Sequence, residues 1–322
     1  MSKSNIPSCT LFLLFWVSTP IFSQKIEHLA SIRSMNSHSY GRIHYENDWF
    51  SGFDQYYTQG INLECVNPVL KSNPINVVLL KLPKSTLKYG LAFDHNGYTP
   101  TSIRSDGILY GDRPFAATFV VKSFSISIDT VSRSSISAGL SVGIIGSAAI
   151  GKQMQSTIHG WIGGTQPQGW QHQIQNDLAV NYEINHEKLL INTNFFSLNS
   201  NAQIKIGSLS DKLQAGFTFT LGKFNSVLAG NAMKNQFQMY IYSQPLVNFV
   251  GYDATMQGGL FNSNRPYTLK ADEIERIVFQ NNFGAILKFK KLYLEYHQTI
   301  ITKEFSQGLY HRWGGIKIGF IL

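Results

Sequence analysis

Three polar clusters in the chain carry side chains suited to chemistry. The first is Tyr45-Glu46-Asn47-Asp48, followed by Asp54 and by Tyr56-Tyr57-Thr58-Gln59-Gly60. The second is Gly111-Asp112-Arg113-Pro114-Phe115, and the third runs from Gln155 and His159 through Pro167-Gln168-Gly169-Trp170-Gln171-His172-Gln173. Imidazole titrates near neutral pH, so His159 is suited to take a proton from water. Gln155 lies four residues earlier, one helical turn away on a neighbouring face. Asp48 and Asn47 offer a carboxylate and an amide oxygen, the donors that a hard divalent cation takes. No Gly-x-Ser-x-Gly elbow is expected, which leaves a histidine-activated water as the simpler nucleophile. Bland uses exist for each residue. Asn-Asp pairs are common in turns, Asp112-Arg113 reads as a structural ion pair, and His172 as a residue that orients its loop or is simply solvated.

The elements that must hold these residues read as strands. In residues 58–66, Ile61, Leu63 and Cys65 alternate with Gly60, Asn62 and Glu64. Residues 213–221 and 236–244 alternate likewise, and the chain ends with Ile316, Ile318, Phe320 and Leu322 on one face. Period-two patterning sends one set toward lipid and the other toward a polar lumen. On that pattern Thr58 joins the inward set with Gly60, Asn62 and Glu64. If Ile43 and Tyr45 face lipid, Asp48 points inward and Asn47 does not, unless the strand ends or bulges there. Turn-like breaks fall at Asn67-Pro68, Asn73-Pro74, residues 199–201 and residues 262–266. One segment differs. In residues 151–162, Met154, Ile158 and Ile162 recur every four positions, a helical stripe that Gly163-Gly164 ends. A lone helix among strands plugs or caps a barrel, or carries chemistry. The expected fold is all-β: one transmembrane antiparallel β-barrel of about 12 strands with a short helix near the rim.

Composition agrees. Aromatics make up 13% of the chain and charged residues only 14%, against about 25% in an ordinary soluble domain. A barrel accounts for this, because only alternate strand residues need be apolar. Residues 1–23 read as a secretory signal peptide: Lys3, an apolar run from Cys9 to Val17, Pro20, and Ser23 before Gln24. That run is shorter than the roughly 20 residues of a membrane-spanning helix. The barrel domain then covers residues 24–322. With Cys9 removed, Cys65 stands alone, so no disulfide framework is available. The net charge of +8 on an exported protein points to anionic lipid head groups rather than nucleic acid.

The clusters resemble the outer-membrane lipid A 3′-O-deacylases. The resemblance rests on Glu46-Asn47-Asp48, Tyr57-Thr58-x-Gly60, Tyr98-Thr99-Pro100, Asp112-Arg113-Pro114-Phe115, Val142-Gly143-Ile144-Ile145-Gly146, Gln155-x-x-x-His159 and Pro167-Gln168-Gly169-Trp170-x-His172-Gln173. These follow in order between residues 46 and 176, and beyond Asn181 only the barrel character matches. The resemblance implies a twelve-stranded barrel with an active site near its outer rim. It also implies calcium-dependent hydrolysis of the ester that holds the 3′ acyloxyacyl group of lipid A, within lipopolysaccharide and among outer-membrane lipids. The implied catalytic positions are His159, Asn47, Asp48, Thr58 and Gln155. His159 would be the base, Asp48 and Asn47 would stand near the metal, and Gln155 would position substrate or water. Where the family carries basic side chains after its Tyr-Ser/Thr-Pro segment, this chain offers only Arg104 as a phosphate contact. Two other readings remain open. One is a non-enzymatic barrel, porin or structural; the other is an outer-membrane phospholipase, a class that usually places a serine beside its histidine.

Overall fold

The computed structural model describes residues 29–52, 55–230, 235–262, 264 and 266–322; the expected leader, residues 1–23, and Asp54 lie outside them. Among the described residues twelve strands form one closed antiparallel barrel: β1 (Tyr40–Asn47), β2 (Tyr56–Val66), β3 (Thr86–Thr99), β4 (Ala116–Asp129), β5 (Ser134–Ile145), β6 (Asp177–Asn192), β7 (Phe196–Gly207), β8 (Ser210–Lys223), β9 (Phe237–Asp253), β10 (Ile277–Phe289), β11 (Leu292–Ile301) and β12 (His311–Ile321). Each strand pairs with the next, and β1 closes on β12. Closure is what a bilayer demands, since an open sheet edge in hydrocarbon leaves backbone groups unpaired. The helices are α1 (Gly151–Ile162), with the boundaries expected from sequence, and a short α2 (Ala254–Gln257).

Alternation divides each strand as expected. On β1, Ile43 is 61% exposed while Arg42, His44 and Glu46 are buried in the lumen. On β2, Leu63 and Cys65 face outward and Asn62 and Glu64 inward. The expected turn at residues 199–201 does not exist. Asn199 and Asn201 lie inside β7 and face the lumen, where Asn199 donates to Ser31 Oγ at 3.0 Å and Asn201 to Glu187 Oε1 at 2.8 Å. A polar lumen accepts asparagine in mid-strand, so the residue type no longer marks a turn.

The two ends of the barrel differ. One, the turn end, carries β1's start, β12's end, the tight connections 130–133, 193–195 and 290–291, and two longer ones, 67–85 and 224–236. The other carries the connections 48–55, 100–115, 146–176, 208–209, 254–276 and 302–310, which together are the longer set, as the extracellular loops of such barrels are. Residues 29–35 enter the lumen at the turn end. Arg33, fully buried, pairs with Glu295 at 2.8 Å and donates to the Tyr242 hydroxyl at 2.6 Å. Arg42, Lys88, Tyr240 and Lys288 donate to carbonyls of residues 32–35. This segment packs among Tyr40, Phe124 and Tyr293 and fills the lumen there.

Candidate functional site on the outer wall

β1 ends where Asn47 turns the chain. Its Oδ1 accepts from the Trp49 amide at 2.8 Å and so caps a single 3-10 turn, Asp48–Ser51. The turn folds back over β12: Ser51 Oγ donates to the Arg312 carbonyl at 2.6 Å, and Phe50 meets Tyr45 and Tyr296 edge-on. Asn47 Nδ2 reaches the other way, to the Thr58 carbonyl at 2.7 Å and the Tyr45 hydroxyl at 3.2 Å. Asp48 opens that turn and is buried.

A β-bulge sets Thr58. The β2–β3 ladder slips between Tyr57 and Gln59, leaving Thr58 as the extra residue. An extra residue reverses alternation beyond it. Tyr57 therefore points into the lumen, where its hydroxyl donates to Glu46 Oε2. Thr58 and Gln59 stand side by side at Gly97: a Cβ there would lie 3.2 Å from Gln59 Cγ and 3.4 Å from Thr58 Cγ2. Gly97 shares its face of β3 with the exposed Phe93. Thr58 thus faces outward, not inward as the simple alternation of residues 58–66 implies.

The helix leans on that same outer wall rather than plugging the lumen. Gly151 begins it against β4, where a Cβ would sit 2.5 Å from Ala117 Cβ and 2.6 Å from the Trp170 ring. Gln155, 1% exposed, donates to Thr58 Oγ1 at 3.2 Å and accepts from Trp170 Nε1 at 2.8 Å. Trp170 is buried against Phe115, Ile103, Ala117 and Ala149. His95 Nε2 donates to the Ala149 carbonyl at 2.8 Å, a third fastening. The buried helical face is thus that of Gly151 and Gln155, not the Met154–Ile158–Ile162 stripe. Ile162 is 67% and Trp161 82% exposed, as residues that meet hydrocarbon can be.

One turn beyond Gln155, half-buried His159 brings Nδ1 to 2.5 Å from the Thr165 carbonyl. A carbonyl only accepts, so Nδ1 carries a proton, and in the neutral ring the lone pair then lies on Nε2. Gly163 (φ 68°) caps the helix and allows this reversal. The loop with Arg104 is pinned alongside: the Gln168 amide donates to the Ile103 carbonyl at 2.7 Å, and His172 Nε2 to the Asp106 carbonyl at 3.1 Å. Arg104 is exposed on that loop. His172 therefore ties its loop to that of Arg104, the first of the two uses expected of it.

Asp112 and Arg113 do not pair with each other. Asp112 Oδ2 accepts from the Thr101 amide and hydroxyl. Arg113 pairs with Glu304 at 2.6 Å, donates to Thr255 Oγ1 at 2.6 Å and stacks 4.4 Å from the Tyr98 ring centroid. Burial pushes the Glu304 carboxyl up to about 7; Arg113 pulls it down and Asp253 adds to the rise. Contrary to expectation a Gly-x-Ser-x-Gly spacing does occur, at Gly139-Leu140-Ser141-Val142-Gly143, but it lies within β5. Ser141 faces the lumen and donates to the Asn181 carbonyl at 3.2 Å, without the strand-to-helix turn an elbow needs.

Sequence reasoning assigned no role to Gln59, Thr165 or Trp170. Gln59 is 2% exposed and its Nε2 has no hydrogen-bond partner. Trp170 stood in the third cluster, but its hydrogen bond to Gln155 follows from packing. The donors around Asn47 and Asp48 are oxygens. Asn47 Oδ1 spends one lone pair on Trp49 and keeps a second, and Asp48 supplies a carboxylate; such a set fits a hard divalent cation.

A family model for outer membrane protein LpxR matches residues 9–322. Among solved structures, LpxR from Salmonella typhimurium superposes with a TM-score of 0.70 at 20% identity, covering 88% of this chain and 100% of that one. The beta domain of the Bordetella autotransporter BrkA covers 88% of this chain and 98% of that one at 7% identity, with a TM-score of 0.49. No curated protein sequence matches significantly. With the family model spanning nearly its whole length, the chain belongs to the LpxR family and is a multi-pass β-barrel of the outer membrane.

Proposed function

We propose that the protein is a carboxylic ester hydrolase that removes the 3′-linked acyloxyacyl group of lipid A, with a calcium ion at the site. The observation that carries this reading is the placement of Thr58, Gln155 and His159 together on the outer wall at the loop end. A lipid lying in the outer leaflet reaches that wall without entering the lumen, and the exposed Trp161 and Ile162 offer its acyl chains an apolar surface.

In this reading His159 Nε2 takes a proton from water, and the hydroxide attacks the ester carbonyl. The tetrahedral intermediate collapses with loss of the sugar oxygen, which recovers the proton from His159. Thr165 holds the imidazole in the working tautomer. Gln155, fixed between Thr58 and Trp170, keeps the helix at its distance from the wall, and the Gln59 amide donor stands beside Thr58 for an oxygen of the substrate. Asn47 and Asp48 would hold the calcium ion, which when bound supplies positive charge for the oxyanion. Arg104 serves a lipid A phosphate. His159 meets a backbone carbonyl rather than a serine hydroxyl, which disfavours a phospholipase of the serine type. The lumen filled by residues 29–35 disfavours a porin.

The test is mass spectrometry of lipid A from a host with hexa-acylated lipid A that expresses the chain, with and without a calcium chelator. Loss of one acyloxyacyl group, suppressed by chelation and by His159→Ala, is the expected result. Unchanged lipid A from a folded, inserted barrel would overturn the reading.

A further inference from the structure

Glu46 and Asn47 are neighbours in sequence but lie on opposite faces of β1. Asn47 belongs to the outer-wall site. Glu46, 1% exposed, meets two buried histidines in the lumen. His44 Nε2 lies 3.5 Å and His297 Nε2 3.4 Å from Glu46 Oε1, and one ligand atom from each residue falls within 4.8 Å of the others. The imidazoles stand edge-on, 4.8 Å between centroids. We propose that His44, Glu46 and His297 form a lumenal site for a first-row transition-metal dication, zinc foremost, separate from the outer-wall cluster.

Four observations support it. Donors bound tetrahedrally to zinc at 2.0–2.1 Å stand about 3.4 Å apart, which matches both histidine–glutamate separations. Two nitrogens and one carboxylate oxygen suit zinc and its neighbours, whereas calcium takes oxygen alone. Neither ring nitrogen of His297, wholly buried, has a hydrogen-bond partner. The space around Glu46 is also kept open. It pairs in register with Gly60 on β2 and Gly315 on β12. A Cβ at Gly60 would fall 2.9 Å from Glu46 Oε2, and one at Gly315 would fall 2.6 Å from His297 Cε1.

The surroundings complete the site. Tyr57, turned inward by the bulge at Thr58, donates to Glu46 Oε2, the outer-shell bond that commonly orients a ligating carboxylate. The same Tyr57 lines a cavity of about 120 Å³ that also touches Asn96 and Trp313. Lys317 opposes His44 in register and brings a competing positive charge, but it also opposes Glu295, which offsets that charge. The ligands come from β1 and β11, on either side of β12. A bound ion would staple the seam where the barrel's first and last strands meet.

The folded full-length barrel in detergent, stripped with a chelator, is titrated with zinc chloride and passed through a desalting column for metal analysis. One zinc per barrel is expected, with a higher melting temperature in zinc and none in calcium. His297→Gln and His44→Gln lose the bound zinc. Tyr57→Phe weakens binding about 10- to 100-fold. His159→Gln, on the outer wall, still carries one zinc. No stoichiometric zinc on the folded wild type overturns the proposal, as does zinc lost with His159→Gln but kept with His297→Gln. Should the lumenal variants fail to fold, cobalt substituted into wild type decides. Intense tetrahedral visible bands with imidazole ligation uphold the site, and a spectrum of six oxygen ligands sinks it.

Discussion

Thr58→Val removes one hydroxyl and nothing else of comparable size. Gln155 is 1% exposed, and its Nε2 donates to Thr58 Oγ1 at 3.2 Å. Valine cannot accept that bond, and the helix shields the amide from water. An unmade buried hydrogen bond costs about 1–3 kcal/mol. Here the cost falls on the docking of α1 to the wall, because β2's backbone ladder does not use the hydroxyl. If docking sets the position of His159, each 1.36 kcal/mol is tenfold in rate, and deacylation falls about 5- to 150-fold. The assay is the initial rate of lipid A deacylation on vesicles, with heat-modifiable gel mobility as the check on folding. Thr58→Ser, which restores the acceptor, should recover most of the rate. A wild-type rate for Thr58→Val would refute the claim that this bond positions the helix. A Thr58→Ser rate as low as that of valine would show that the methyl group matters and the hydroxyl does not.

Gly151→Val should act on the same joint more severely. Its Cβ would enter at 2.5 Å from Ala117 Cβ, pushing α1 off the wall, so that deacylation falls below the Thr58→Val rate while gel mobility still reports a folded barrel. Arg33→Met leaves Glu295 buried without its 2.8 Å partner; breaking such a pair costs about 3–5 kcal/mol, to be seen as a lower melting temperature in detergent. Glu304 rises from 4.5 to about 7 in the fold. Its contribution to stability is therefore fully present below about 4.5 and is lost as pH climbs through about 7. A shift of that size is worth about 3 kcal/mol at most. Between about pH 5 and about pH 8 the wild type should lose more melting temperature than Glu304→Gln, and parallel curves would rule the titration out.

What the sequence made legible was what local pattern controls. Strand alternation and the bounds of α1 follow from neighbouring residues, and Gly163 marks the stop on its own. What it hid depends on partners far along the chain. Thr58 looks inward by counting from Gly60, and only the register with β3 reveals the extra residue that turns it out. Arg113 sits beside an aspartate, yet its partner is Glu304, 191 residues on. Residues 199–201 resemble a turn because asparagine usually makes one, and the polar lumen removes that inference. Trp170 and Gln155 both stand in the third polar cluster, but their hydrogen bond requires the loop to fold back onto the helix.

The bulge at Thr58 couples the outer wall to the lumen. A regular β2 would hold Thr58 on the lumen side with Gly60, away from Gln155, and would send Tyr57 outward, away from Glu46. The extra residue exchanges the two. It gives the outer wall a hydroxyl for the helix and the lumen a phenol for the glutamate. Deleting one residue at the bulge should therefore impair deacylation and lumenal zinc binding together, although the two sites lie on opposite faces of the sheet. Point substitutions separate them: Thr58→Val touches only the first and Tyr57→Phe mainly the second. If the deletion spared either property, the bulge would not be the device that assigns these residues to their faces.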